Sequence, residues 1–374
     1  MEQPIKLAES KPHYEILDGL RGVAALIVVI FHIFEMHSGG DHAKQIINHG
    51  YLAVDFFFLL SGYVIGYAYD DRWGKMTLKD FFKRRIIRLQ PMIIIGSVVG
   101  AAFYYFQDSP DMGWNIHDVP VWKMLLVMLI GMTLIPVSKG LDIRGWGEMH
   151  PLNGPAWSLF FEYIANILYA LVFRHLSKII LAVCVAVAAG FTIQYALTSP
   201  NGDLIGGWTI DDPAQLRIGF TRLAFPFLAG LLLSRIGKLR YTKHAFLTAS
   251  LLLVVLFSVP RLGGTENMWM NGLYECFCLM IMFPFIVWLG AGGKVNGKKA
   301  SHVCKFLGDI SYPVYITHYP IAYTYMAYVA NNNLTLEQSW PYAVLTVFAA
   351  VAVAYFSMRL YDIPVREWLR KKFL

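Results

Sequence analysis

One stretch near the N-terminus, LDGLRGVAALIVVIFHIFEMH, places Arg21 and His32 in an otherwise apolar run. An ionisable side chain at the centre of a bilayer costs about 2.5–3.5 kcal/mol or more, so its presence needs a reason. Eleven residues at about 100° each make three turns plus roughly 20°, which puts the two on one helical face about 16 Å apart. An imidazole with an ordinary pKa of about 6.5 exchanges protons near neutrality. His32 is therefore a candidate catalytic base reached from a cavity. The competing role is a core histidine bonded to a neighbouring backbone group.

Four further segments carry similar groups. In YLAVDFFFLLSGYVIGY, Asp55 sits just inside one end of the run, as a catalytic carboxylate or a hydrated helix-end acid. Ser61 and Gly62 lie deeper, where small residues let helices approach. Packing suits Ser61 better than nucleophilic attack, because no base is adjacent in sequence. In FFKRRIIRLQP, Arg85 and Arg88 share a helical face, with Arg84 beside them. They are either topology-setting charges or a guanidinium pair that grips phosphates. In GPAWSLFFEYIANILY, Ser158 and Glu162 share a face, with Trp157 near the outer end of the helix. Glu162 would orient a histidine or meet a sugar hydroxyl, unless it is an interfacial acid. In FLGDISYPVYITHYP, Tyr312, Tyr315 and His318 recur at three-residue spacing between kinking prolines. His318 is a second functional histidine or an interhelical hydrogen-bonding group. His37, His42 and His49, with Glu35 and Asp41, fit no zinc spacing, so no metal is expected. A Gly-rich phosphate loop is absent from the sequence, which argues against an ATP-driven pump.

The elements that must position these residues follow from composition. The 374 residues are 56% hydrophobic and 15% charged, with mean hydropathy +0.48. Soluble chains average roughly 25% charged and about 45–50% apolar residues. Disordered chains, disulfide scaffolds and ordinary cytosolic enzymes are excluded, leaving an all-α integral membrane protein of one domain, 1–374. Runs of roughly 20 apolar residues mark spans at 20–36, 51–69, 91–107, 157–174, 178–197, 217–234, 244–260, 271–291, 310–330 and 341–361. The net charge of +7 comes from links between them, not from a nucleic-acid surface. Basic clusters at 72–88, 174–178, 235–243, 294–305 and 366–372 belong in the cytoplasm by the positive-inside rule. Links near 108–118, 198–212, 261–266 and 331–337 belong outside. This parity allows one crossing between 111 and 174, so the short run 122–137, broken by Gly131 and Pro136, is expected to be re-entrant or interfacial. Ten spans remain, with a cytoplasmic N-terminal segment 1–17 and a basic cytoplasmic tail 362–374. Cys184, Cys276, Cys278 and Cys304 read as packing residues. No cleavable leader is expected.

Taken in order, LDGLRGVAALIVVIFH, VDFFFLLSGYVI, KRRIIRLQP, AWSLFFE and LGDISYPVYITH resemble the successive signature segments of the acyltransferase-3 family. The likeness covers essentially the whole chain. It implies about ten helices with both termini cytoplasmic, in the inner membrane. The activity it implies is transfer of an acyl group, usually acetyl, from cytoplasmic acyl-CoA to a hydroxyl of an extracytoplasmic or lipid-linked carbohydrate. By position, His32 would be the catalytic histidine with Arg21 below it, and Arg85 and Arg88 the basic pair for CoA phosphates. Trp157, Ser158 and Glu162 fall in the family's WSLxxE segment, and Ser61 and Gly62 in its SGY segment. Glu162 or Asp55 would orient His32 or bind the sugar. Some members add an extracytoplasmic hydrolase-like domain; here acceptor handling is expected in the membrane domain or with a separate partner. Direct transfer and an acyl-histidine relay both remain open. The alternative is a proton-coupled exporter in which His32, Glu162 and His318 form a path. A non-enzymatic scaffold would leave the intramembrane ionisable groups without a role.

Overall fold

The computed structural model describes residues 13–41, 44–295 and 297–374. His42 and most of the expected segment 1–17 lie outside the described residues. Among the described residues the chain is all helix, with only two isolated bridges of extended backbone. The helices are α1 (Glu15–Ser38), α2 (Ala53–Tyr69), α3 (Leu78–Tyr104), α4 (Val121–Gly131), α5 (Ala156–Leu171), α6 (Lys178–Thr198) and α7 (Pro213–Ile236). They continue with α8 (Ala245–Ser258), α9 (Trp269–Phe277), α10 (Phe283–Gly292), α11 (Lys298–Asn331), α12 (Leu336–Ser357) and α13 (Ile363–Phe373). A π-helical segment, Cys278–Met282, joins α9 to α10, and another, Met358–Asp362, joins α12 to α13.

Among the described residues, seven helices are long and apolar enough to cross a membrane: α1, α2 with its lead-in, α3, α6, α7, the α9–α10 unit and the α12–α13 unit. The ten expected spans exceed this number for two reasons. Helices α5 and α8, at 16 and 14 residues, are shorter than the roughly 20 needed. Helix α11 has 34 residues but is rich in polar groups, and most of its middle is buried against α1, α12 and α3 instead of facing lipid. The run expected at 122–137 forms an 11-residue helix, about 16 Å long, roughly half of a hydrocarbon core.

Contacts sort the links to opposite ends. At one end Arg235 pairs with Asp70 at 2.7 Å and bonds the Leu176 and Phe173 carbonyls. There too Trp288 bonds the Lys238 carbonyl, Lys83 the Phe373 carbonyl, and Ser301 the Glu15 carboxylate. At the other end Arg261 pairs with Asp203, and Asn331 bonds the Asp108 carbonyl. The cation-rich links therefore share one face of the bundle, hereafter the basic end, and the described parts of both termini lie there.

Segment 138–155, a polar link between helices, folds into the bundle. Val137 donates its N–H to the Met149 carbonyl, and Met149 donates to Trp208. Arg144, Glu148, His150 and Asn153 are all buried. Arg144 lies 3.6 Å from the Tyr323 ring centre and bonds Gln107, which satisfies most of a guanidinium that would otherwise be costly to enclose. Because this segment ends deep in the bundle, Trp157 packs between Phe58, Phe161 and Arg222 and is 7% exposed. It stands in the first turn of α5, at the end of that helix away from the basic links.

Candidate functional site

A cavity of about 570 Å³ opens at the basic end, between α1, α2, α3, α5, α11 and the α12–α13 junction. Its mouth carries Arg21, Arg88, Lys305 and Arg366 together with Asp18 and Asp362. Its far end is made by Ser61, Ser158, Glu162 and Tyr315. Helix α3 reaches this cavity through a Thr77–Asp80 capping box, which fixes where the helix starts and hence which face Arg85 and Arg88 present. Arg21 is held by Asp18 at 3.1 Å and by its Nε donating to Ser311 Oγ at 2.8 Å.

The two arginines expected to act as a pair have different surroundings. Arg85 is 7% exposed and donates to Glu162 Oε1 at 3.0 Å, and Ser61 Oγ donates to the same oxygen at 3.0 Å. The Arg85 charge is thus already matched inside the protein. Arg88 lines the cavity, is exposed to it, and has no ion pair or hydrogen bond among the described residues. It is a guanidinium fork open to an anion. Arg84 does not line the cavity.

At the far end, Ser158 Oγ and Tyr315 Oη lie 2.7 Å apart. The Tyr315 ring lies 6.1 Å from the His318 ring, which stacks 5.4 Å from His32. His318 Nδ1 lies 2.9 Å from the Tyr315 carbonyl and 3.0 Å from that of Val314, so Nδ1 carries the proton. Its Nε2 is buried and has no partner. His32 Nδ1 sits 2.7 Å from Glu35 Oε2, which fixes that nitrogen as donor and leaves Nε2 as the basic one. Tyr319 meets the His32 ring edge-on at 4.4 Å. Neither His32 nor His318 lines the cavity; Tyr315, which does, leads to His318 and through it to His32.

Asp55 and Glu162 are not brought to His32. Asp55 is wholly buried, with both carboxylate oxygens accepting from Arg222 at 2.7 and 3.2 Å. Arg222 also bonds the Tyr51 and Gly206 carbonyls, so this pair ties α2 to α7 and to a loop. Tyr312 donates to the Leu89 carbonyl and lines the cavity. The carboxylate that does reach His32 is Glu35, which reading the sequence did not single out as its partner. The i,i+3 spacing on one helix was the available signal. Arg222 likewise stood in plain view, as an arginine inside an apolar run. In the cluster of Arg144, Glu148 and Tyr323 the first two are only four residues apart, but Tyr323, which bonds Glu148, comes from a distant segment and gave no such signal.

The comparisons extend this picture along the chain. The family described as acyltransferase domain matches residues 14–359. A protein called protein 2 in picA locus, from Rhizobium radiobacter, is 34% identical over 44% of this chain and 85% of its own length. The peptidoglycan O-acetyltransferase OatA of Listeria monocytogenes is 25% identical over 96% of this chain and 56% of its own length, so this chain spans about half of that relative. No solved structure matches. The family match runs from the start of α1 to just past the end of α12 and takes in Arg21, His32, Arg88, Glu162 and His318 alike, so the chain belongs to the acyltransferase-3 family.

Proposed function

We propose that this protein is a membrane-bound O-acyltransferase that takes an acyl group, acetyl first among them, from acyl-CoA at the basic end. It delivers that group to a hydroxyl of a carbohydrate presented at the opposite end. The observation that carries the reading is the cavity: an open guanidinium at its mouth, and two histidines in line beyond its far end. In this reading the basic end faces the cytoplasm, both termini lie there, and ten helices or helical units cross the inner membrane around a single domain. Helices α5, α8 and α11 complete the ten alongside the seven apolar ones.

The chemistry follows from the geometry. Arg88 and its neighbours hold the CoA phosphates, and the extended pantetheine arm occupies the cavity with its thioester towards Ser158 and Tyr315. His32 Nε2 takes the proton of the acceptor hydroxyl, whose oxygen attacks the thioester carbonyl. The carbon–oxygen bond forms, the carbon–sulfur bond breaks, and the proton returns from His32 to the departing thiolate as CoA leaves. Glu35 holds the imidazolium through Nδ1–H, as a carboxylate does for a catalytic histidine. The bare Nε2 of His318 lies on the route between thioester and His32 and positions the reacting groups. Glu162 keeps Arg85 and Ser61 in place at the cavity wall.

The purified protein in lipid nanodiscs, given radiolabelled acetyl-CoA and a panel of glycans including peptidoglycan fragments, tests the proposal. Label is expected to move to a glycan with stoichiometric CoA release, and His32→Ala is expected to abolish transfer while acetyl-CoA still binds. Solute flux through proteoliposomes without CoA release would overturn it in favour of transport.

A further inference from the structure

The second anion-binding group at the cavity mouth comes from the C-terminal helix. We propose that Arg366 on α13, together with Arg88 on α3, forms the phosphate grip for the nucleotide part of the donor, and that Asp362 latches Arg366 until the donor arrives. The inference rests on the acyl-CoA reading above and assigns its binding residues differently from the sequence motif. A motif of two arginines three apart points to Arg85 and Arg88. Arg85, however, is already spent on Glu162 and Ser61 and is buried in the cavity wall.

Three observations bring Arg366 forward. It lines the same cavity as Arg88, although the two are far apart in sequence. Its neighbour Asp362 belongs to the π-helical segment Met358–Asp362, an irregularity that is found frequently at functional sites. The extra residue there turns Met358, Asp362, Ile363 and Arg366 to the cavity together.

The Asp362–Arg366 pair is also incompletely satisfied. Arg366 Nη2 meets Asp362 Oδ2 at 2.7 Å, while Arg366 Nε and Asp362 Oδ1 are both buried without partners. The Arg366 side chain is nonetheless 27% exposed, whereas Arg85 is buried, so the part of the Arg366 fork turned to the cavity is open to a second anion. Arg88, Asp362 and Arg366 all line this one cavity, so the two cations face the same space. Helix α13 packs on α3, and Lys83 bonds the Phe373 carbonyl, which keeps Arg366 at a fixed distance from the helix that carries Arg88. A bound phosphate shared by Arg88 and Arg366 would replace the single bond from Asp362. Asp362 thereby sets how firmly an anion must bind to recruit the second arginine.

The test compares acetyl-CoA with acetyl-pantetheine, which has the same thioester and arm but lacks the nucleotide phosphates. Binding is measured on the full-length protein in nanodiscs. Wild type is expected to prefer acetyl-CoA. Arg366→Gln should weaken acetyl-CoA about tenfold and leave acetyl-pantetheine unchanged, the size of one charge-assisted contact. Asp362→Asn, which frees Arg366, should tighten acetyl-CoA, a gain that misfolding cannot produce. If Arg366→Gln keeps the full preference for acetyl-CoA, the grip is wrong while the donor reading stands. If wild type binds neither compound, both fail.

Discussion

Arg85 and Arg88 sit one turn apart on the same helix and both line the cavity, yet Arg85 is buried and paired while Arg88 is exposed and unpaired. The difference arises because Glu162, from α5, reaches Arg85 alone. A sequence spacing shows that two side chains share a face; it does not show which of them a distant helix has already neutralised. Asp55 illustrates the same point from the other side. Its carboxylate is enclosed with Arg222, and breaking a buried pair by removing one partner costs about 3–5 kcal/mol. Asp55→Asn is therefore expected to lower the thermal midpoint in detergent strongly, and a paired change of Asp55→Leu with Arg222→Met to recover most of it. A stable but inactive Asp55→Asn protein would instead place this residue in the chemistry.

Glu148 gives a pH signature at the same scale. Burial pushes its carboxyl up to about 7, above the ordinary 4.5. A raised carboxyl means that the folded state holds a proton that the unfolded chain releases between roughly pH 4.5 and 7. Stability contributed by this site is thus present at low pH and lost as pH rises through that window. Glu148→Gln, which keeps an acceptor for Tyr323, is expected to gain melting temperature over wild type at pH 8 and to lose that advantage at pH 4.5. An equal gap at both values would contradict the assignment.

Among the elements, the close crossing of α2 and α7 is the most exacting. A side chain at Gly62 would strike the Phe227 carbonyl, and one at Gly230 the Leu59 carbonyl, so each helix presses a glycine against the other's backbone. Small residues permit this approach in the absence of a strong apolar drive between helices in lipid. Gly230→Leu is expected to prevent the folded, monodisperse protein from being recovered, whereas Gly74→Leu, in open space, is expected to have no effect. Most elements were legible in the sequence because a span of about 20 apolar residues is a one-dimensional signal. Helix α11 covers the run read at 310–330, but its 34-residue extent was not visible, since its N-terminal turns carry loop-like charge. Segment 138–155 escaped for the opposite reason. Its polar residues resemble an exposed link, and only distant partners such as Gln107, Tyr323 and Ile316 let it sit inside.

For the whole molecule, the charge pattern foretold that the cation-rich links share one end, and the contacts gather them there. The candidate site was legible as a set of residues but not as an arrangement. Arg21 and Arg88 at the mouth, Ser61, Ser158, Glu162 and Tyr315 within, and His318 leading to His32 form one line through the bundle. In the proposed function an extended donor enters at the basic end and reacts near the opposite one. The structure of the protein with a non-hydrolysable acetyl-CoA analogue, determined in nanodiscs, tests this directly. The account predicts nucleotide phosphates beside Arg88 and the acyl end past Ser158 and Tyr315, pointing at His318 and His32. An analogue bound elsewhere, or bound in the cavity with its acyl end at the mouth, would contradict it.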